Sequence, residues 1–135
     1  MTLTAKPKSF GPIFASFNGT QTVHYSDATS ERSPHPPDGT PVDMLLASLA
    51  YCMVRSVEWV AKSQDVVLQP FSVKVMGRKA ANLPGRVEVM TVTLIGDLVD
   101  DPNTASEIVK MAKGLCTVSN TLTCEIIVTM ESNNA

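Results

Sequence analysis

From Pro41 to about Ser63 the chain contains neither a glycine nor an internal proline, and Met, Leu and Ala dominate the stretch. At 3.6 residues per turn this makes a helix of roughly six turns. Thr40 can cap it, Pro41 suits its first turn, and Asp43 places a negative charge at the positive end of the helix dipole. Its first half is apolar around the whole circumference; its second half carries a polar stripe of Arg55, Glu58 and Lys62. A helix without a polar face has to be enclosed on all sides, which one small domain supplies with difficulty. Any fold for this chain must therefore be built around residues 41–63, with Cys52 in the buried part of the helix.

The chain has 135 residues, enough for a single domain over 1–135 that buries roughly two thirds of its unfolded surface. Eleven Lys and Arg stand against 13 Asp and Glu, and the basic residues are scattered, Lys6 with Lys8 and Arg78 with Lys79 being the densest pairs. No basic stripe exists to attract a phosphate backbone, so nucleic acid is not expected as a partner. Only 18% of residues are charged while 44% are hydrophobic, a surface lean enough in charge to suggest self-association. Three cysteines without a C-x-x-C point to a reducing compartment. Gly11 and Pro12 interrupt the segment after Lys6 and Lys8 before it reaches the ~7–15 apolar residues of an export signal. The longest apolar stretch, Met44–Val54, is short of the ~20 residues that cross a bilayer. A cytoplasmic protein with no membrane partner is the expectation.

Around the helix the strands fall in pairs. Ile13–Phe17 and Thr22–Tyr25 flank Asn18-Gly19, a hairpin signal, and give a hairpin over 10–27. Residues 28–40, with three of the chain's prolines and several Ser, Thr and Asp residues, form a loop that carries Arg32. Phe71–Lys79 and Val87–Leu98 alternate as strands, with Val73 and Val75 on one face, and Met90, Val92 and Leu94 opposed to Thr91 and Thr93. The link Ala81–Gly85 makes them antiparallel. A second helix follows at 103–113, opened by Asp101-Pro102, striped by Ile108, Met111 and Ala112, and stopped at Gly114. A last strand runs from Cys124 to Glu131. Strands grouped in this way give an α+β fold.

Nothing in the chain suits a structural metal. Its two histidines, His24 and His35, lie in the N-terminal third, and Cys116 and Cys124 are too far apart for a zinc knuckle. The G-x-S-x-G, G-x-G-x-x-G and P-loop patterns are absent. Arg32, the acid Asp43 at the helix start, Cys52, and Cys116 in the turn after the second helix remain. A thiol attacks a peroxide as its thiolate, and a buried one needs a positive partner to stay ionised. Arginine suits that task because it stays charged and presents several donors in a fixed fork. Attack leaves a sulfenic acid that a second thiol can convert to a disulfide, and Cys116 could be that thiol. Taken alone, however, a cysteine in an apolar helix is more often a small buried hydrophobe. Cys124 fits the alternation of the last strand, Trp59 and Met53 read as core or dimer packing, and His35 between Pro34 and Pro36 reads as an exposed loop residue.

Two stretches shift that balance. Thr40-Pro41-Val42-Asp43-Met44-Leu45-Leu46-Ala47-Ser48-Leu49-Ala50-Tyr51-Cys52 resembles the T-P-x-E-L-L-L-A-x-L-A-x-C helix opening of the OsmC/Ohr family of osmotically inducible and organic hydroperoxide resistance proteins. Gly114–Leu122 resembles the family's second cysteine motif, C-P-[VY]-S-x-x, in position and context. The resemblance covers residues 30–131 well and the N-terminal hairpin by pattern. It implies antiparallel sheets wrapped around a long central helix in an intertwined homodimer, whose sites lie at the dimer interface. It also implies a thiol-dependent peroxidase for organic hydroperoxides in oxidative stress defence. Cys52 matches the peroxidatic cysteine, Cys116 the resolving one, and Arg32 the activating arginine of the OsmC branch. A small dithiol such as a lipoyl group would be the reductant, and no cofactor is implied.

Two departures accompany the likeness. The family's catalytic glutamate falls on Val42, and Asp43, the neighbouring acid, lies about 100° further round a helix and is one methylene shorter. Thr117 replaces the proline after the second cysteine. These departures bear on rate and substrate range, and they leave a second reading open: a non-catalytic dimer on the same fold that binds a small apolar ligand.

Overall fold

A computed structural model describes residues 9–20, 22–29, 31–37 and 39–132. Lys6 and Lys8, where the export reading begins, lie outside the described residues. The elements in chain order are β1 (Ser9–Phe17), β2 (His24–Asp27), α1 (Pro41–Ser63), β3 (Phe71–Lys79), β4 (Val87–Ile95), α2 (Pro102–Leu115), α3 (Thr117–Thr121) and β5 (Glu125–Glu131). The strands form one sheet in the order β2-β1-β3-β4-β5. The fold is α+β.

β1 and β2 are the antiparallel hairpin, with Ser16 opposite His24 and Ile13 opposite Asp27. β1 also pairs antiparallel with β3, with an irregularity between Phe10 and Ile13. Gly11 sits there at φ +80°, and a Cβ on it would meet the carbonyl oxygen of Val75 at 2.7 Å. Only glycine fits that combination. β3 and β4 are antiparallel, Val75 facing Val92. β5 differs from the antiparallel expectation: it pairs parallel with β4, with Val128 beside Val92. The reason is the helix between them, since a chain that crosses over through α2 returns in the direction in which it left.

α1 lies across the sheet. Leu46, Leu49, Ala50, Met53, Val57 and Val60 are buried against Ile13, Ala15, Val73 and Val75, and α2 adds Ala105, Ile108, Val109 and Ala112. Each of the larger side chains among them contributes roughly 1.5–3 kcal/mol by leaving water, and each alanine less. α1 is long and apolar enough, at a mean hydropathy of 1.3, to cross a membrane by length and composition, yet 56% of that window is buried within this chain.

Several details depart from the sequence reading. β4 stops at Ile95, because the chain turns at Gly96, although Leu98 beyond it is fully buried. α2 continues through Gly114 to Leu115 and ends at Cys116. Met111 is exposed, and Ala105 and Val109 complete the buried stripe in its place. α3 gave no sequence signal, because Thr, Ser and Asn are weak helix formers. The first half of α1 is not enclosed all round: Met44, Leu45 and Ser48 face outward.

Candidate active site

The start of α1 is fixed by a reciprocal cap. The Asp43 backbone N–H donates to Thr40 Oγ1 (3.2 Å), and the Thr40 backbone N–H donates to Asp43 Oδ2 (2.9 Å). A third contact joins Thr40 Oγ1 to the same carboxylate oxygen at 3.2 Å. Such a capping box satisfies donors that the first helical turn leaves open. Gly39 makes room for it, since a Cβ there would run into the Asp43 carboxylate. Asp43 is thus engaged with the end of the Arg32 loop. Val42, beside it, packs partly buried against the core.

Three turns along α1, Cys52 stands at the border between the buried and exposed faces. It is partly buried, more open than the apolar sequence around it suggested. Its carbonyl accepts a hydrogen bond from Ser56 Oγ at 2.8 Å. Cys116 arrives from the other side, at the junction where α2 ends and α3 begins. It is fully buried, at 0% exposure, and the Cys52 thiol is near enough to act on its titration. Both cysteines are free thiols. Burial pushes the Cys116 thiol above its ordinary pKa, and the neighbouring Cys52 thiol adds to the rise. Hydrogen bonds from the backbone and side chain of Ser119 act in the opposite direction. Cys116 therefore keeps its proton at neutral pH.

Arg32 is exposed and lines a cavity of about 400 Å³ with Phe14, Ser16, Phe17 and Ser72 at one end of the sheet. Alternation puts Phe14, Ser16 and Ser72 on the sheet face away from α1. The structure thus brings Cys52 and Cys116 together, holds Asp43 in the helix cap and sets Arg32 in a separate cavity. Cys124 precedes β5 and packs partly buried against the core.

The sequence reading did not single out a cluster beside Cys52. The Arg55 guanidinium lies 5.2 Å from the centre of the Tyr51 ring, its Nε donates to the Tyr51 hydroxyl (3.4 Å), and its Nη1 pairs with Glu58 at 2.6 Å. The Tyr25 ring meets Tyr51 edge to face, with centroids 6.1 Å apart. The available signal was the spacing 51, 55 and 58 on one helix face.

Comparison with solved structures extends over nearly the whole chain. An OsmC-like protein from Mycoplasma pneumoniae is 15% identical, covering 98% of this chain and 100% of its own, with a TM-score of 0.63. The organic hydroperoxide resistance protein OhrB of Bacillus subtilis is 17% identical over 95% of this chain and 98% of its own, at 0.57. An organic hydroperoxide resistance protein OsmC from Legionella pneumophila is 17% identical over 94% and 96%, at 0.56. At such identities the likeness is one of fold. Comparison with curated protein sequences finds no match. The family model described as OsmC-like protein matches residues 34–131, the stretch that carries α1, both site cysteines and every strand but the first two, and the chain therefore belongs to the OsmC-like family.

Proposed function

We propose that the chain is a thiol-dependent peroxidase that reduces organic hydroperoxides, acting in the cytoplasm in defence against oxidative stress. The observation that carries the reading is that a partly exposed thiol, Cys52, neighbours a fully buried one, Cys116. Unequal exposure divides the roles. A hydroperoxide can meet Cys52, whereas Cys116 is shielded from solvent and protonated.

The Cys52 thiolate attacks the outer oxygen of the O–O bond; with one proton, the alkoxide leaves as an alcohol and Cys52 becomes a sulfenic acid. The Cys116 sulfur then displaces hydroxide from that sulfenic acid, so that a disulfide forms and water leaves. A small dithiol such as a lipoyl group restores both thiols by exchange and is itself oxidised. Arg32, whose side chain lines the separate cavity described above, is assigned to stabilise the thiolate, a role that requires this side chain to turn toward Cys52. Asp43, which holds the end of the Arg32 loop on the helix, takes the place of the acid that Val42 lacks.

The chain is further proposed to work as a homodimer. Met44, Leu45, Tyr51 and Trp59 of α1, with Met111 and Leu115 of α2, leave an apolar surface that a second copy would cover. A second reading, a non-catalytic dimer that binds a small apolar ligand, draws on Val42 at the glutamate position. Peroxide consumption by wild type and Cys52→Ser separates the two. The peroxidase reading expects Cys52→Ser to fall to the uncatalysed background. Equal slow consumption by both proteins, with iodoacetamide alkylation of Cys52 at pH 6 no faster than that of a free thiol, favours the binding dimer.

A further inference from the structure

Arg32 lies in a loop of 13 residues between β2 and α1, and a cation on an untethered loop of that length is spread over many positions. This loop is tied next to Arg32. Tyr25 N donates to Ser33 O at 2.7 Å, and Ser33 N donates to Tyr25 O at 2.8 Å, which makes an isolated antiparallel bridge to β2. The Tyr25 ring is buried, at 8% exposure, and its edge-to-face partner is Tyr51, the residue before Cys52. Core packing does not account for Tyr51, which is 41% exposed. Its position is set by groups on its own helix: Arg55 stacks on the ring and donates to the hydroxyl, and Glu58 fixes Arg55 from the next turn. Aromatic pairs of this geometry, and a cation over a ring, each stabilise beyond the area they bury.

Resting on the peroxidase reading above, we propose that Tyr25 and Tyr51 are positioning residues that hold the Arg32 loop in register with the turn of α1 that carries Cys52, with Arg55 and Glu58 clamping Tyr51. The contacts run from Arg32 through Ser33, Tyr25 and Tyr51 to Cys52 by two peptide links, one backbone bridge and one ring pair, with the Tyr25 ring anchored in the core. The ring is the active part of Tyr51, because it meets Tyr25 and Arg55 alike; the hydroxyl bond to Arg55, at 3.4 Å, is long.

The test is a double-variant cycle on the full chain, with the rate of Cys52 oxidation by cumene hydroperoxide and the pH midpoint of Cys52 alkylation as readouts. Tyr51→Phe keeps the ring and stays within about twofold of wild type, whereas Tyr51→Leu, which keeps apolar volume without the ring, loses about tenfold. In an Arg32→Ala background Tyr51→Leu costs nothing further, and it moves the alkylation midpoint in the same direction as Arg32→Ala does. Losses that multiply, or a wild-type rate in Tyr51→Leu, overturn the positioning role. Tyr25→Phe, which preserves the buried ring and the backbone bridge, serves as the second variant: the proposal expects near-wild-type behaviour, and a tenfold loss there contradicts it. Cys52→Ser is measured alongside. Wild-type consumption by that variant overturns the peroxidase reading and this proposal with it, whereas an essential Cys52 with multiplying losses overturns the positioning role alone.

Discussion

Burial separates the two thiols at the candidate site. Cys116 is enclosed where α2 meets α3, and burial holds its proton more tightly than in an unfolded chain. A raised folded-state pKa means that its contribution to stability is fully present below the ordinary thiol pKa of about 8.5 and is lost as pH rises through the higher folded value. Stability of the reduced protein should therefore fall more steeply between pH 8 and 10 in wild type than in Cys116→Ala, as urea midpoints at each pH will show; parallel slopes would contradict the shift. Cys52, Cys116, Arg32 and Asp43 are candidates that the sequence offers by residue type alone, since thiols, an arginine in a loop and an acid at a helix start stand out in it. Their placement was not legible there. Whether Cys52 faces inward or outward depends on the rotation of α1 against the sheet, and the capture of Asp43 by Thr40 depends on backbone angles that the residue types allow but do not fix.

At the scale of elements, α1 organises the molecule. Its bounds, 41–63, follow from proline and threonine at one end and the loss of helix formers at the other, and the capping box completes what Thr40 and Asp43 suggest. Its buried face follows from helical spacing. Its exposed face is the part that composition left ambiguous: an all-round apolar helix is consistent with enclosure within one chain or between two. The proposed dimer would cover Trp59, at 65% exposure, and the outward Met44 and Leu45. Trp59→Glu should therefore shift the chain from dimer toward monomer in sedimentation velocity without loss of helix content. A wild-type protein that is monomeric at tens of micromolar would contradict the dimer. α3 and the end of α2 were missed for a common reason, since Gly114 and the Thr-Ser-Asn run disfavour helix locally, and tertiary packing around Cys116 overrides that preference.

For the whole molecule, the sequence carried the α+β class and the antiparallel neighbours β1/β2 and β3/β4, whose short connections leave few alternatives. It did not carry the parallel pairing of β5 with β4 or the order that puts β1 between β2 and β3, because those depend on which sheet edge each returning segment reaches. Such long-range choices put Cys116 beside Cys52, 64 residues earlier in the chain, and that juxtaposition is the centre of the functional account. It is tested most directly by adding one equivalent of cumene hydroperoxide to the reduced protein and mapping its disulfides by mass spectrometry. The account predicts two thiols consumed per chain and a single Cys52–Cys116 disulfide, with Cys124 still reduced. Thiols that survive the treatment, or a bridge formed by Cys124 in place of Cys116, would contradict it.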